Sequence, residues 1–250
     1  MKQALYRHLE MLQRQFGCSS LKLSTEDAGN SFAQIAVYAR AFGRRIPLEV
    51  KIGGPEARND LNHLAPLAIR AVIVPMVESP YALEKFIETM RRSMPARRYR
   101  QLRRRLNLET ITAARQLPAI MATPAFREVD QATIGRNDLS RSLGRQPGDP
   151  QVWQLTRKLV RALQTHGLPV SVGGGITPRQ ADELIRRVRP AYLNTRSVAF
   201  RVTPRFAAPA AISAALEFEA ELLAFDAARG FITRREAAVR AAVLRDRARN

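Results

Sequence analysis

Two acids one repeat apart are the residues of this 250-residue chain best placed to do chemistry. Glu109 closes the segment "RLNLET" and Asp138 follows "QATIG", 29 positions later. If both segments are neighbouring parallel strands, the two carboxylates reach the same edge of the sheet. Two carboxylates, with the other positions left to water and substrate oxygens, suit a hard divalent cation such as Mg²⁺ or Mn²⁺. The spacing fits equally well with two helix caps, or with partners for nearby arginines. A second acidic pair, Glu26 and Asp27, sits in "STEDAGNSF", where it either caps a turn or faces a reaction. Lys51 ends "PLEVKI" and could stabilise negative charge developing on a substrate oxygen. It could also form a Schiff base, or a structural salt bridge to Glu49 or Glu78.

The elements that would hold these groups follow a regular alternation. Short runs rich in Val, Ile and Leu recur at 21–24, 47–52, 71–76, 105–110, 131–135, 169–173 and 191–195, separated by amphipathic stretches of helical length. Proline stands where a first helical residue is expected in Gly54-Pro55, Ser79-Pro80, Asp149-Pro150 and Thr177-Pro178. A doubly wound sheet would carry a glycine-rich fingerprint after its first strand, and "TEDAGNS" is no such loop. The pattern therefore predicts a TIM-type (β/α)8 barrel over residues 1–204. An N-terminal amphipathic helix stands where a first strand would be, so that strand is expected to be absent and the barrel irregularly closed or completed by a partner chain. Residues 205–250 read as a helical extension packing on the barrel or on another subunit of a homo-oligomer. In such a barrel the strand ends carry the chemistry.

Composition limits the function classes. No apolar run is long enough to span a bilayer, which predicts a soluble, cytoplasmic protein without a membrane partner. Cys18 stands alone and only three histidines occur, so neither a disulfide framework nor a Cys- or His-based metal site is expected. The net charge of +19 comes from 36 arginines against five lysines. The densest stretch, "RRSMPARRYRQLRRR" at 91–105, contains one aromatic residue and so lacks the stacking platform of a single-strand binder. It reads as a solvated face, with a polyanion-binding patch as the alternative. The triplet in "VSVGGGITPRQ" fits either a phosphate cradle, as in barrel isomerases and synthases, or close backbone packing.

Taken in order, "VKIGGPEARNDL", "AVIVPMVESPYALEKFI", "LNLETITA", "ATIGRNDLSRSLG", "VSVGGGIT" and "YLNTRSVAF" resemble the HpcH/HpaI aldolase and citrate lyase beta-subunit family of pyruvate kinase-like barrels. The resemblance runs from about residue 20 to 200, and "ETIT" followed by "IGRNDLSRSLG" is its specific part. It implies a metal-dependent carbon–carbon lyase that makes or breaks a bond through a metal-stabilised enolate of a 2-oxo acid or acyl thioester. It places the metal ligands on Glu109 and Asp138, and substrate contacts on Asn107 and on the backbone of Gly135, Arg136 and Asn137. Lys51 falls where the aldolases have an arginine, a departure because lysine offers a point charge rather than a fork. The aldolase histidine after the first visible strand is also absent. "TEDA" is similar to the Leu-Glu-Asp turn of the citrate lyase branch instead, which would give proton transfer to Glu26 or Asp27.

Overall fold

The structure, a computed structural model, describes residues 2–26 and 28–249. Eight strands close into one barrel in sequence order. They are β1 (Cys18–Ser24), β2 (Leu48–Lys51), β3 (Ala71–Val74), β4 (Arg103–Leu108), β5 (Gln131–Gly135), β6 (Val170–Gly173), β7 (Tyr192–Asn194) and β8 (Val198–Arg201). The helices are α1 (Lys2–Phe16), α2 (Phe32–Phe42), α3 (Arg58–Leu64), α4 (Pro80–Ser93), α5 (Ala96–Gln101), α6 (Ile111–Ala122), α7 (Arg136–Ser142), α8 (Pro150–Thr165), α9 (Pro178–Val188), α10 (Ala208–Ala227) and α11 (Arg234–Arg249). No helix of the described residues is long and apolar enough to cross a membrane.

Strand after strand alternates in polarity, as in "LKLS", "LEVK" and "LNLE", and the barrel sorts the two phases. Leu21, Leu23, Leu48, Val50, Leu106, Leu108, Val170 and Val172 join one apolar core with the covering helices. The opposite phase, including Ser20, Glu49, Asn107, Thr133, Ser171 and Asn194, is buried and polar. Side chains two apart share a face, so these residues fill the barrel interior. There Arg105 approaches Glu49 at 2.5 Å, Thr133 meets Ser171 at 2.7 Å, and Asn194 donates to Ser171 at 2.8 Å. The Arg105–Glu49 contact is ionic rather than a well-aligned hydrogen bond, since Glu49 Oε1 and Arg105 Nε lack hydrogen-bond partners.

The expectation of an absent first strand is corrected at the other end of the chain. The eighth strand is the last one, and it runs antiparallel to both β7 and β1, so the barrel closes within the chain. Only Thr195, Arg196 and Ser197 separate β7 from β8, with Thr195 N donating to Val198 O at 2.9 Å. A parallel crossover needs a dozen or more residues; three residues permit only a reversal. The segment 191–201 is therefore a hairpin.

Helix starts follow their caps. Ser31, Ser79 and Asp149 accept from backbone N–H groups of α2, α4 and α8. Thr177 precedes Pro178 but makes no side-chain cap, and the helix expected at Pro55 begins at Arg58. Asp60 Oδ2 accepts from Gly53 N at 2.9 Å and from Thr25 Oγ1 at 2.6 Å, which holds residues 53–57 in a turn.

Five arginines of the 91–105 stretch, Arg91, Arg92, Arg97, Arg100 and Arg103, are exposed, as a solvated face requires, and the other three are tied into the protein. Arg98 donates to the carbonyls of Ala65, Leu67 and Ile69, Arg104 reaches Asp130 and Glu128 O, and Arg105 enters the barrel.

Helix α10 packs against α1, α9 and α11 and places Phe218 and Phe225 in the barrel's own core. It is apolar nearly all round because it is covered on several sides. Tyr38 of α2 donates to Asp226 of α10 at 3.2 Å. Burial pushes the Asp226 carboxyl up to about 6, against the lowering effect of that bond. The folded protein therefore holds this proton over a range, from about pH 4 to 6, where the unfolded chain has released it, and stability falls as pH rises through that window. Asp226→Asn cannot ionise. Its stability relative to wild type is therefore expected to be greater at pH 8 than at pH 4 by on the order of 1 to 3 kcal/mol, read from denaturant titrations at both pH values.

Candidate active site

A cavity of about 350 Å³ opens at the C-terminal ends of the strands. Lys51, Asn107, Glu109, Gly135, Asn137 and Asp138 line it together. The structure thus collects at one mouth residues spread over 88 positions of sequence, because β2, β4 and β5 all end there.

Glu109 is the most constrained of these. It is 4% exposed and accepts at 3.2 Å from Met76 N through Oε1 and at 3.2 Å from Asn107 Nδ2 through Oε2. Met76, just past β3, adopts φ 52, a left-handed conformation rare outside glycine; its N–H bonds Glu109 from there. Burial raises the Glu109 pKa, while Lys51, Met76 N–H and Asn107 pull it down and Asp138 pushes it up. Both Lys51 and Asp138 are therefore close enough to act on it electrostatically. Gly135 is required by the same side chain: a Cβ there would lie 2.5 Å from Glu109 Oε2 and 2.9 Å from its Cβ.

Asp138, in the first turn of α7, is partly exposed and faces Arg141 at 3.5 Å. Asn107 Oδ1 is buried without a hydrogen-bond partner, beside the two carboxylates in the same cavity wall. An orphaned acceptor next to two acids fits a hard cation, with water and substrate oxygens completing its shell. Among the described residues no group of three or more His, Cys, Asp and Glu forms a self-sufficient metal cage.

The other candidates lie differently. Glu26 is exposed against Gly53 and lines a neighbouring cleft with Asp60, Tyr81 and Lys85, not the cavity of Glu109. Asp27 lies outside the described residues. The Arg136 side chain turns away from the cavity, donating to Pro147 O at 2.5 Å and stacking 4.4 Å over Trp153. Only its backbone faces the site: Cβ atoms at Gly174 would fall 3.0 Å from Arg136 N and 2.7 Å from Asn137 N. Close packing against this turn and the Asn137 side chain accounts for the glycine triplet, whose second and third members have positive φ.

The sequence pattern of the HpcH/HpaI aldolase/citrate lyase family matches residues 47–184, more than half of the chain. The chain belongs to this family. No curated protein matches the chain. Among solved structures, a citrate lyase from Burkholderia xenovorans is 15% identical and superposes with a TM-score of 0.60, covering 97% of this chain and 87% of that one. An HpcH/HpaI aldolase from Desulfitobacterium hafniense is 17% identical with a TM-score of 0.57, over 73% and 78% of the two chains. Macrophomate synthase is 14% identical with a TM-score of 0.57, over 78% and 83%. At these identities the structures agree in fold. The family is one of aldolases and citrate lyases, and this HpcH/HpaI chain is accordingly an enzyme of the lyase kind.

Sequence reasoning missed Lys22, Arg141 and Arg247 in the cavity wall, and gave no role to Thr133. Lys22 had a signal, the inward phase of "LKLS". Arg247 had none, since it depends on how α11 folds back along α10.

Gly135→Ala is expected to displace Glu109 and break its bond to Asn107. Overpacking of this kind costs about 1 to 3 kcal/mol, visible as a lower thermal midpoint, and Mn²⁺ binding followed by water proton relaxation should weaken as strongly as in Glu109→Ala.

Proposed function

We propose that this protein is a divalent-metal-dependent carbon–carbon lyase, or catalyses the synthetic reverse, acting on a 2-oxo acid or an acyl thioester. The observation that carries the reading is Glu109, held by Met76 N–H and Asn107 in one cavity with Asp138, Lys51 and the unpartnered Asn107 Oδ1. Glu109 and Asp138 would hold Mg²⁺ or Mn²⁺, with Asn107 Oδ1 directed at the ion or at substrate. A bound ion supplies Lewis-acid polarisation of the substrate carbonyl.

The rest of the work falls to this chain's side chains and backbone. Lys51 brings a positive charge next to Glu109, where negative charge develops on the substrate oxygen as the C–C bond breaks. The backbone from Gly135 to Asn137 leads into α7, and since the first N–H groups of a helix lack an intrahelical carbonyl, those of Arg136 and Asn137 would be the ones to meet the substrate carboxylate. In the polar barrel floor Thr133 meets Ser171 and Asn194 donates to Ser171, which fixes these side chains, while Asn194 Oδ1 is left without a partner. Glu26 faces the neighbouring cleft, which argues against it as the proton carrier. The family's lyases and synthases support this reaction class over a phosphate-cradling isomerase, and close packing already accounts for the glycine triplet.

The test is exchange of pyruvate methyl protons in D₂O, followed by NMR with Mg²⁺, Mn²⁺ or chelator. Wild type is expected to exchange only with metal, Glu109→Ala to lose at least about a hundredfold in rate, and Glu26→Gln to stay within about threefold. Metal-dependent exchange that persists in Glu109→Ala would remove this carboxylate from the site.

A further inference from the structure

The two ends of the barrel are charged differently. At the cavity end, the residues just beyond β1 to β5 include one acid for each strand, Glu26, Glu56, Glu78, Glu109 and Asp138. At the other end, where the strands begin, arginines stand instead. Arg44 precedes β2, Arg70 precedes β3, Arg97 and Arg100 lie on α5 before β4, and Arg127 precedes β5. These strands are parallel neighbours, so the five guanidiniums share one arc of the barrel base, opposite the cavity. The arc spans three interstrand spacings, about 14 Å. All five side chains are exposed, and among the described residues none of them takes part in an ion pair or a side-chain hydrogen bond.

We propose that this base is a docking surface for the phosphate backbone of a duplex nucleic acid, held without reading its bases. The face lies opposite the cavity and plays no part in the lyase chemistry.

The cluster is fixed by the fold. Arg98 donates to the carbonyls of Ala65, Leu67 and Ile69, which fastens α5 to the turn entering β3. Burial, and then the charge of Arg70, lower the Arg98 pKa, so α5 sits with its arginines beside Arg70. The acids in the segments entering β2 to β5 are Glu128 and Asp130, and both are already engaged, Glu128 by Arg91 and Tyr99, Asp130 by Arg103 and Arg104. Like charges left together in this way attract a polyanion, which gains by releasing its condensed counterions.

The surface also selects the kind of polyanion. Single strands are held on aromatic platforms, and the tyrosine of these segments, Tyr99, is half-buried against Glu128. Firm attachment to an acidic membrane combines charge with apolar side chains that enter it. The exposed large apolar residues, Met76, Tyr81, Val239 and Val243, all lie outside these segments. A duplex presents one phosphate charge per about 1.7 Å of its axis and asks only for guanidiniums.

Fluorescence anisotropy of the full chain with a labelled DNA duplex of about 20 base pairs, from about 50 to 200 mM salt, tests the surface. Log affinity against log salt should fall with a slope of about −3 to −4.5, for roughly three to five phosphates neutralised. Arg97→Gln with Arg100→Gln should flatten the slope by about 2 and weaken binding at least about tenfold. Arg44→Gln with Arg70→Gln, on two other strand entries, should do the same. Arg115→Gln with Arg179→Gln removes equal charge from exposed positions near the starts of α6 and α9, and should leave affinity within about twofold. Equal weakening in that control would make binding a matter of net charge and overturn the surface. So would a slope shallower than about −1, or tighter binding of a single strand or of phosphatidylglycerol vesicles at the same salt.

Discussion

The polar interior of the barrel is the constraint on which the rest of this structure depends. Covering helices claim the apolar phase of each strand, so Glu49, Asn107, Gln131, Thr133, Ser171 and Asn194 must be buried together, with the partly buried Arg105 beside Glu49. Buried polar groups are costly unless they find one another. Here the Glu49–Arg105 pair ties β2 to β4 across the interior, and the Thr133–Ser171–Asn194 chain ties β5, β6 and β7. Removing one member of a buried ion pair strands the other, so the lower barrel tolerates little change. That rigidity passes directly to the layer above it, where Lys51, Asn107 and Glu109 lie one or two inward positions further along the same strands.

The upper layer is built from backbone exceptions as much as from side chains. Met76 in a left-handed conformation turns its N–H onto Glu109, and the missing Cβ of Gly135 leaves room for the carboxylate. Non-glycine residues persist at positive φ where surrounding contacts impose it. The consequence is a buried acid, raised in pKa and fixed in direction by the Met76 N–H and the Asn107 amide N–H, in one cavity with a second carboxylate.

Closure of the barrel and shaping of the cavity are one event. Because β8 reverses, no crossover helix follows β7, and α10 instead runs between α9 and α1. Its Glu219 reaches in to hold the Thr195–Ser197 turn, whose residues line the cavity. Helix α11 then folds back along α10 and brings Arg247 to the same wall. The C-terminal helices are thus part of the site.

Seven of the eight strands were legible in the sequence, because local alternation and proline-marked helix starts depend only on neighbouring residues. Glu109 and Asp138 were legible too, since consecutive parallel strands bring their ends to one edge whatever the details above them. The strand β8 was not legible, because its four residues are too few to show an alternation and one of its two partners, β1, lies far away in sequence. Neither was the separation of Glu26 from the cavity, which follows from Asp60 holding the 53–57 turn, nor the internal use of Arg98, Arg104 and Arg105. The sequence by itself determined the alternating strands, their order and the acids at their ends. Only the tertiary structure decided how the barrel closes and which cations reach the cavity, since those depend on contacts such as Glu219 to Thr195, Asp60 to Thr25 and α11 to α10 that no local pattern encodes.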